Sequence, residues 1–241
     1  MDTQPPINIG SITIEEIHDA LRSSKTNKAP GPDGLTIELY KYLDEDNLRL
    51  LARILNQMWT EESYPDDFAY AEVVSIYKKG NPELPEHYRP ISLLNSSYKI
   101  MTKILQKRIA DATDQFVSDT QFGFRRGKST SEPLFCVRRL QDLAEAGHQN
   151  IILIFLDWEK AFDRISHHRL LEALERMKID AKMINNIKAL YEHPFFKTIH
   201  NTEESVWKKT ALWHTTGMSA IALSIYFNDE RPVFRCEAQE Q

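Results

Sequence analysis

Apolar residues recur at helical spacing in the first stretch of the chain, at Ile14, Ile17 and Leu21. Thr13 and Glu16 stand three apart just before this run, the pattern of a capping box, so a short amphipathic helix is predicted there. The run ends before Lys28-Ala29-Pro30-Gly31-Pro32-Asp33-Gly34, where two prolines and two glycines predict a tight, rigid loop. Two helices are predicted next, the second marked by Leu51, Ile54, Leu55 and Met58. Ala69 to Tyr77, rich in aromatic and β-branched residues, reads as a strand, and Lys78-Lys79-Gly80-Asn81-Pro82 turns the chain. Tyr88 to Leu94 reads as extended, and Tyr98 to Ile109 as a helix with Met101, Leu105 and Ile109 on one side. Ser129 and Glu132 predict another capped helix, with Pro133 tolerated in its first turn. Six consecutive apolar residues, Ile151 to Leu156, predict a strand buried on both faces. Helices follow from about Ser166 to Met177 and from about Asp180 to Tyr191. Interleaved strands and helices place the chain in a mixed, α+β class.

Composition narrows the setting. The chain has 241 residues, 41% hydrophobic and 27% charged, ordinary for a globular protein with a real core. No apolar run approaches a membrane span, and residues 1–10 lack the basic start and apolar stretch of a signal peptide. Two cysteines, Cys136 and Cys236, make neither a metal-ligand spacing nor a disulfide framework, so an intracellular setting is expected, nuclear or cytoplasmic. Net charge is −5, but its distribution is uneven. Residues 1–70 carry 6 basic and 13 acidic side chains, whereas residues 78–139 carry 12 basic and 6 acidic. The middle segment could therefore form a phosphate-binding surface; scattered lysines on a solvated face account for it equally well.

The candidate chemistry centres on Asp157, at the carboxyl end of the expected buried strand, where α/β architectures place ligands. A carboxylate among apolar neighbours is costly unless it meets positive charge, and Mg²⁺, a hard cation that takes carboxylate and phosphate oxygens, is a natural partner. Capping of the next helix by Asp157 is the plainer alternative.

The stretch Phe155-Leu156-Asp157-Trp158-Glu159-Lys160-Ala161-Phe162-Asp163-Arg164-Ile165, with His167 after it, resembles the first palm motif of non-LTR and group II intron reverse transcriptases. Three upstream blocks resemble that family in the same order: Asn27 to Gly34, Tyr88 to Leu94 with Lys99-Ile100, and Gln121 to Thr130. The resemblance runs from roughly Ile12 to Gly217. It implies RNA-templated DNA synthesis from a primer by a right-hand polymerase, with an RNA template, a DNA primer and deoxynucleotides as partners. It also implies that Asp157 is one metal-binding aspartate of a two-Mg²⁺ site. Phe162 would lie under the sugar and exclude a 2′-hydroxyl. Lys78 and Arg89 would clamp the triphosphate, and Arg125, Arg126 and Lys128 would meet backbone phosphates. The Pro-Gly-Pro-Asp-Gly loop reads as architecture without chemistry of its own.

Departures from the family set the remaining expectations. Ser219, Ala220 and Ile221 follow Gly217 where the family carries Arg, Gln and Gly. No aromatic-Ala-Asp-Asp block follows, and the sole Asp-Asp pair, Asp66-Asp67, precedes Asp157. The expected fold is thus an incomplete right-hand polymerase: fingers over residues 1–139, a partial palm over 140–217 and a divergent tail over 218–241. A chain with one metal-binding aspartate is expected to be inactive alone, because two close Mg²⁺ ions need several carboxylates. A nucleic-acid-binding remnant and a decayed mobile-element reading frame are the alternatives. Lacking palm neighbours, the Ile151 to Leu156 strand and the C-terminal third are expected to be loosely packed.

Overall fold

The computed structural model describes residues 4–157, 166–192, 194–200 and 203–209. Seven helices and five strands are found among them: α1 Ile14–Arg22, α2 Ile37–Lys41, α3 Glu45–Glu61, β1 Ala71–Tyr77, β2 Tyr88–Leu94, α4 Ser96–Thr113, α5 Ser131–Ala146, α6 His167–Arg176, α7 Ala181–Glu192, β3 Phe195–His200, β4 Glu203–Glu204 and β5 Lys208–Lys209. Helix and sheet are mixed as expected.

Local chemistry explains the helix boundaries. The Thr13 side chain accepts from the Glu16 N–H at 3.2 Å, and Glu16 Oε2 accepts from the Thr13 N–H at 2.9 Å, so both halves of the capping box form. Asp44 caps α3 by accepting from the Asn47 N–H, and α3 then buries Leu48, Leu51, Ala52, Leu55 and Trp59 along one stripe. Ile54, expected on that stripe, faces out. At α5, Glu132 reaches back to the Ser129 N–H as expected, but the helix begins at Ser131, after Thr130.

Helix α4 is the centre of the core. Ser96, Tyr98, Ile100, Met101, Thr102, Ile104, Leu105, Arg108, Ile109, Ala112 and Thr113 are all buried, so the covered surface is wider than the one side that the spacing suggests, and one stripe with Lys107, Ala110 and Asp111 stays exposed. Its one buried cation is fully provided for. Arg108 Nε and Nη2 donate to Glu16 Oε1 and Oε2 at 2.6 and 2.7 Å. Nη1 donates to the Asn8 and Gly10 carbonyls, and Nη2 also to that of Ser11. All five guanidinium N–H groups are thereby used. The guanidinium also lies 5.2 Å from the centre of the Trp59 ring.

The sheet runs in the order β2-β1-β3-β4, with β5 also on β3. β1 and β2 pair antiparallel from Ala71↔Leu94 to Tyr77↔Tyr88, and β3 lies parallel to β1 in the register Ala71↔Phe196. One face carries Ala71, Val73, Leu94 and Phe196 into the core. Helices α6 and α7 join the same core through Leu170, Ala173, Leu174, Met183 and Ile187. Buried Asn186 latches α7 to α3: its Oδ1 accepts from Tyr64 Oη at 2.7 Å and its Nδ2 donates to the Trp59 carbonyl at 3.2 Å. The core thus draws on residues from both sides of Arg139 and does not divide there.

Ile151 to Leu156 departs from expectation. The segment makes no sheet pairing among the described residues, and Ile152, Ile154, Phe155 and Leu156 are between 79% and 86% exposed. β3 occupies the edge of β1 opposite β2, and the segment joins none of the described strands. Of the C-terminal third, expected to be loosely packed, α6 and α7 are packed into the core.

The Pro-Gly-Pro-Asp-Gly loop rests on the β2–α4 junction. A Cβ on Gly31 would stand 2.3 Å from the Leu94 carbonyl carbon and 2.4 Å from the Asn95 nitrogen, so only glycine fits. The Asp33 N–H donates to Asn95 Oδ1, and Ser96 Oγ donates to the Leu35 carbonyl. At Gly34 the demand is conformational: φ is +69° and the space beyond is open.

Two outcomes follow. Gly31→Ala should lower stability in urea denaturation far more than Gly34→Ala, whose cost should be about 1 kcal/mol; equal losses would show that the loop does not bear on Leu94. Removing one member of the buried pair by Arg108→Met should cost about 3–5 kcal/mol. Burial opposes ionisation of Glu16, but the Arg108 hydrogen bonds, the Thr13 N–H and the Arg108 charge outweigh it and hold the carboxyl below its usual 4.5. A depressed carboxyl stabilises above its unfolded pKa and loses that contribution as pH falls through the folded one. Stability measured below about pH 4.5 should therefore fall less steeply in Arg108→Met than in the parent chain.

Candidate nucleic-acid interface

The β1–β2 hairpin sets the positions of the two cations expected to clamp a phosphate group. Arg89 is opposite Ile76 in the register, and the Lys78 N–H donates to the His87 carbonyl at 2.8 Å, so the ladder continues one residue past Tyr77. Directly opposed residues share a face, and so do residues two apart along a strand. Lys78, Ile76 and Arg89 therefore stand on one face of the hairpin, beyond Val74 and Ile91. Both cations are exposed, and no ion pair to either is present among the described residues. The hairpin's tip is braced from the opposite face, where Tyr77 and Tyr88 meet edge-on at 5.6 Å and Tyr88 meets His200 at 6.1 Å.

Further down the Lys78–Arg89 face the charge is neutralised. Lys197 on β3 lies 3.0 Å from Glu72 and 2.8 Å from Glu204, and it sits over the Trp207 ring at 5.4 Å. β3, Trp207 and these ion pairs were not foreseen from the sequence. The aromatic pair Phe195-Phe196 followed by Lys197-Thr198-Ile199 is the strand signal that could have revealed them.

The Gln121 to Thr130 block forms a turn after α4, and its three cations differ in circumstance. Arg125 folds back: Nε donates to Asp114 Oδ1 at 2.9 Å, Nη1 to the Ser118 carbonyl at 3.0 Å and Nη2 to the Asp114 carbonyl at 3.3 Å. Its hydrogen bond holds the Asp114 carboxyl below the usual range. Lys128 is 3.4 Å from Glu132 and 5.7 Å from the centre of the Phe122 ring. Arg126 is exposed and has no ion pair among the described residues. Of the three, Arg125 supports the turn while Arg126 presents charge to solvent.

Asp157 is exposed, as are Phe155 and Leu156 before it. No hydrogen bond or ion pair joins it to Lys78 or Arg89 among the described residues. Phe162, together with Lys160, Asp163 and Arg164, lies outside those residues. His167, next in the chain, opens α6 and stacks on Tyr191 at 4.8 Å, and burial lowers its pKa. An exposed carboxylate is a suitable hard ligand for Mg²⁺, but one is too few. Among the described residues, no three acidic, His or Cys side chains are grouped to hold a metal ion.

Comparison with known proteins bears on these sites. A family model described as reverse transcriptase (RNA-dependent DNA polymerase) matches residues 76–219. The probable RNA-directed DNA polymerase from transposon BS of Drosophila melanogaster is 33% identical over 179 residues, 72% of this chain and 20% of that protein. The RNA-directed DNA polymerase from mobile element jockey of the same species is 31% identical over 177 residues, 72% of this chain and 19% of that protein. The transposon TX1 uncharacterized 149 kDa protein of Xenopus laevis is 29% identical over 180 residues, 75% of this chain and 14% of that protein. The chain spans a fifth or less of the length of these curated relatives.

Proposed function

The chain belongs to the reverse transcriptase (RNA-dependent DNA polymerase) family, with non-LTR retrotransposon polymerases as its relatives, and we propose that it supplies the nucleotide- and template-binding part of such a polymerase. The observation that carries this reading is the family match over residues 76–219, which begins within the β1–β2 hairpin and includes Asp157. No helix among the described residues is long and apolar enough to cross a membrane.

In this reading the exposed pair Lys78 and Arg89 receives the triphosphate of a deoxynucleotide. Two cations on one face of a braced hairpin suit a polyanion, and fixed positive charge offsets the negative charge that builds up during phosphoryl transfer. Phe162 bounds the sugar and discriminates by volume against a 2′-hydroxyl. Arg126 and Lys128 meet template or primer phosphates; Arg125 holds their turn in shape through Asp114 while adding to the local field. Asp157 contributes one carboxylate toward Mg²⁺, and no step through the metal is derived from a single ligand. The division at Arg139, with fingers before it and palm after it, is one of surface role, since a single core serves both parts.

The 241 residues by themselves should not polymerise. In primer extension on poly-rA with oligo-dT and Mg²⁺, incorporation should not exceed that of Asp157→Ala; a clear excess over this control would show that the carboxylates present suffice. Binding is the second readout. Affinity for an RNA–DNA duplex should fall steeply with salt as phosphate contacts release counterions, at about 0.9 of log slope per contact on a duplex. Arg126→Ala with Lys128→Ala should flatten that slope by about two contacts. Arg125→Ala should lower thermal stability of the 114–130 turn as well, because it releases Asp114; an unchanged slope in all three would mean that this turn faces solvent only.

A further inference from the structure

A cleft of 390 Å³ opens between the 24–29 segment and α4. Four lysines line it: Lys25 and Lys28 from the segment, Lys99 and Lys103 from α4. No carboxylate is among its lining residues. Ala29 and Ile37 form apolar wall between the charges. Lys99 and Lys103 are four apart on the helix, so they project from one face of it.

The charges are not merely near one another; they converge. Lys103 Nζ lies 2.9 Å from Ser24 Oγ, and Lys41 Nζ lies 2.7 Å from the Ser24 carbonyl oxygen, so two ammonium groups are bonded to one residue. Burial pushes the Lys103 pKa down and the Lys41 charge pushes it further. Burial also lowers that of Lys99, against a smaller opposing effect of Asp33. Two other sheltered cations are paired with carboxylates: Arg108 with Glu16, and Lys197 with Glu72 and Glu204. Half-buried like charges without a carboxylate between them are unfavourable alone and are stabilised by an anion.

The shape narrows the anion. The cleft is far roomier than one phosphate group requires, and its apolar wall suits a ring rather than a second charge. A base and sugar against Ala29 and Ile37, with phosphates at the lysines on either side, would satisfy both features. A duplex, with its bases paired inward, offers no such ring to a cleft of this size. Single strands bind in cationic grooves that follow the backbone with little regard to sequence. We propose that this cleft holds one unpaired nucleotide of a single-stranded nucleic acid, gripped through its phosphates by Lys25, Lys28, Lys99 and Lys103. The choice of a strand over a free nucleotide, which shares the same chemistry, rests on the reading of the chain as part of a polymerase.

Fluorescence anisotropy of the 241-residue chain with a labelled oligo-rU 12-mer and with an RNA–DNA duplex, each across a salt series, tests it. In K25Q/K28Q/K99Q/K103Q the log-affinity slope against log salt should fall by about 1.4 for the single strand, about 0.7 for each of the two phosphates that flank one nucleotide, with the duplex slope unchanged. K25Q/K28Q alters only exposed side chains and should remove about half of that change, which covers a failure of the fourfold variant to fold. An unchanged single-strand slope, or an equal drop on the duplex, would overturn the proposal. So would displacement of the 12-mer by UMP at concentrations near the 12-mer's own affinity, which would make a free nucleotide the ligand. Duplex binding that is absent from the parent chain would count against the polymerase reading alone, since the single-strand arm still decides the cleft.

Discussion

The buried contact between Arg108 and Glu16 organises the N-terminal two-thirds of this chain. A guanidinium that is 5% exposed tolerates no unused N–H, and the structure gives each of its five a partner within 3.2 Å. Three of those partners are backbone carbonyls of residues 8, 10 and 11, so the segment preceding α1 must cross α4 at one place. Glu16 meanwhile completes the cap of α1. One ion pair therefore fixes the start of α1, its rotation against α4 and the course of the strap before it. A buried ion pair is a weak argument for added stability, because desolvation consumes most of the Coulombic gain. Its effect here is on arrangement: apolar packing of Ile17 and Leu21 would allow α1 to slide, and five directed hydrogen bonds do not.

That arrangement reaches the surfaces proposed to act. With α1 fixed on α4, the segment after α1 passes over the exposed side of α4, and Lys25 and Lys28 come to face Lys99 and Lys103. Gly31 then lets the same loop touch the β2–α4 junction, which also carries the hairpin with Lys78 and Arg89. The cationic hairpin and the lysine cleft thus lie at opposite ends of one rigid connection, from Leu94 through Asn95 into α4. Both sets of charges are carried by a core that neutralises its own buried cation, Arg108.

The distribution of charge shows how a correct count can mislead. Residues 78–139 are indeed the basic segment, yet Arg108 points into the core, Lys107 is paired with Asp19, and Arg125 with Asp114. The acidic N-terminal segment, conversely, hides Lys25, Lys28 and Lys41 in its total, and these are the ones that meet Lys99 and Lys103. Summed charge along a sequence cannot record which side chains converge, because convergence links residues as far as 79 positions apart.

Local patterns in the sequence were enough to determine the helices, the β1–β2 hairpin, the capping box and the place of the Pro-Gly-Pro-Asp-Gly loop, because each depends on neighbours within a few residues. The ordered motifs were enough to indicate the family, which the match over residues 76–219 establishes. Tertiary structure decided the rest. Ile151 to Leu156 has the composition of a buried strand, but a strand exists only through its partners, and among the described residues this segment has none. Whether an arginine serves phosphate or carboxylate, as with Arg126 and Arg125, turns on what the fold brings within hydrogen-bond distance. Periodicity carries no information about that, since it describes one element at a time and contact belongs to two.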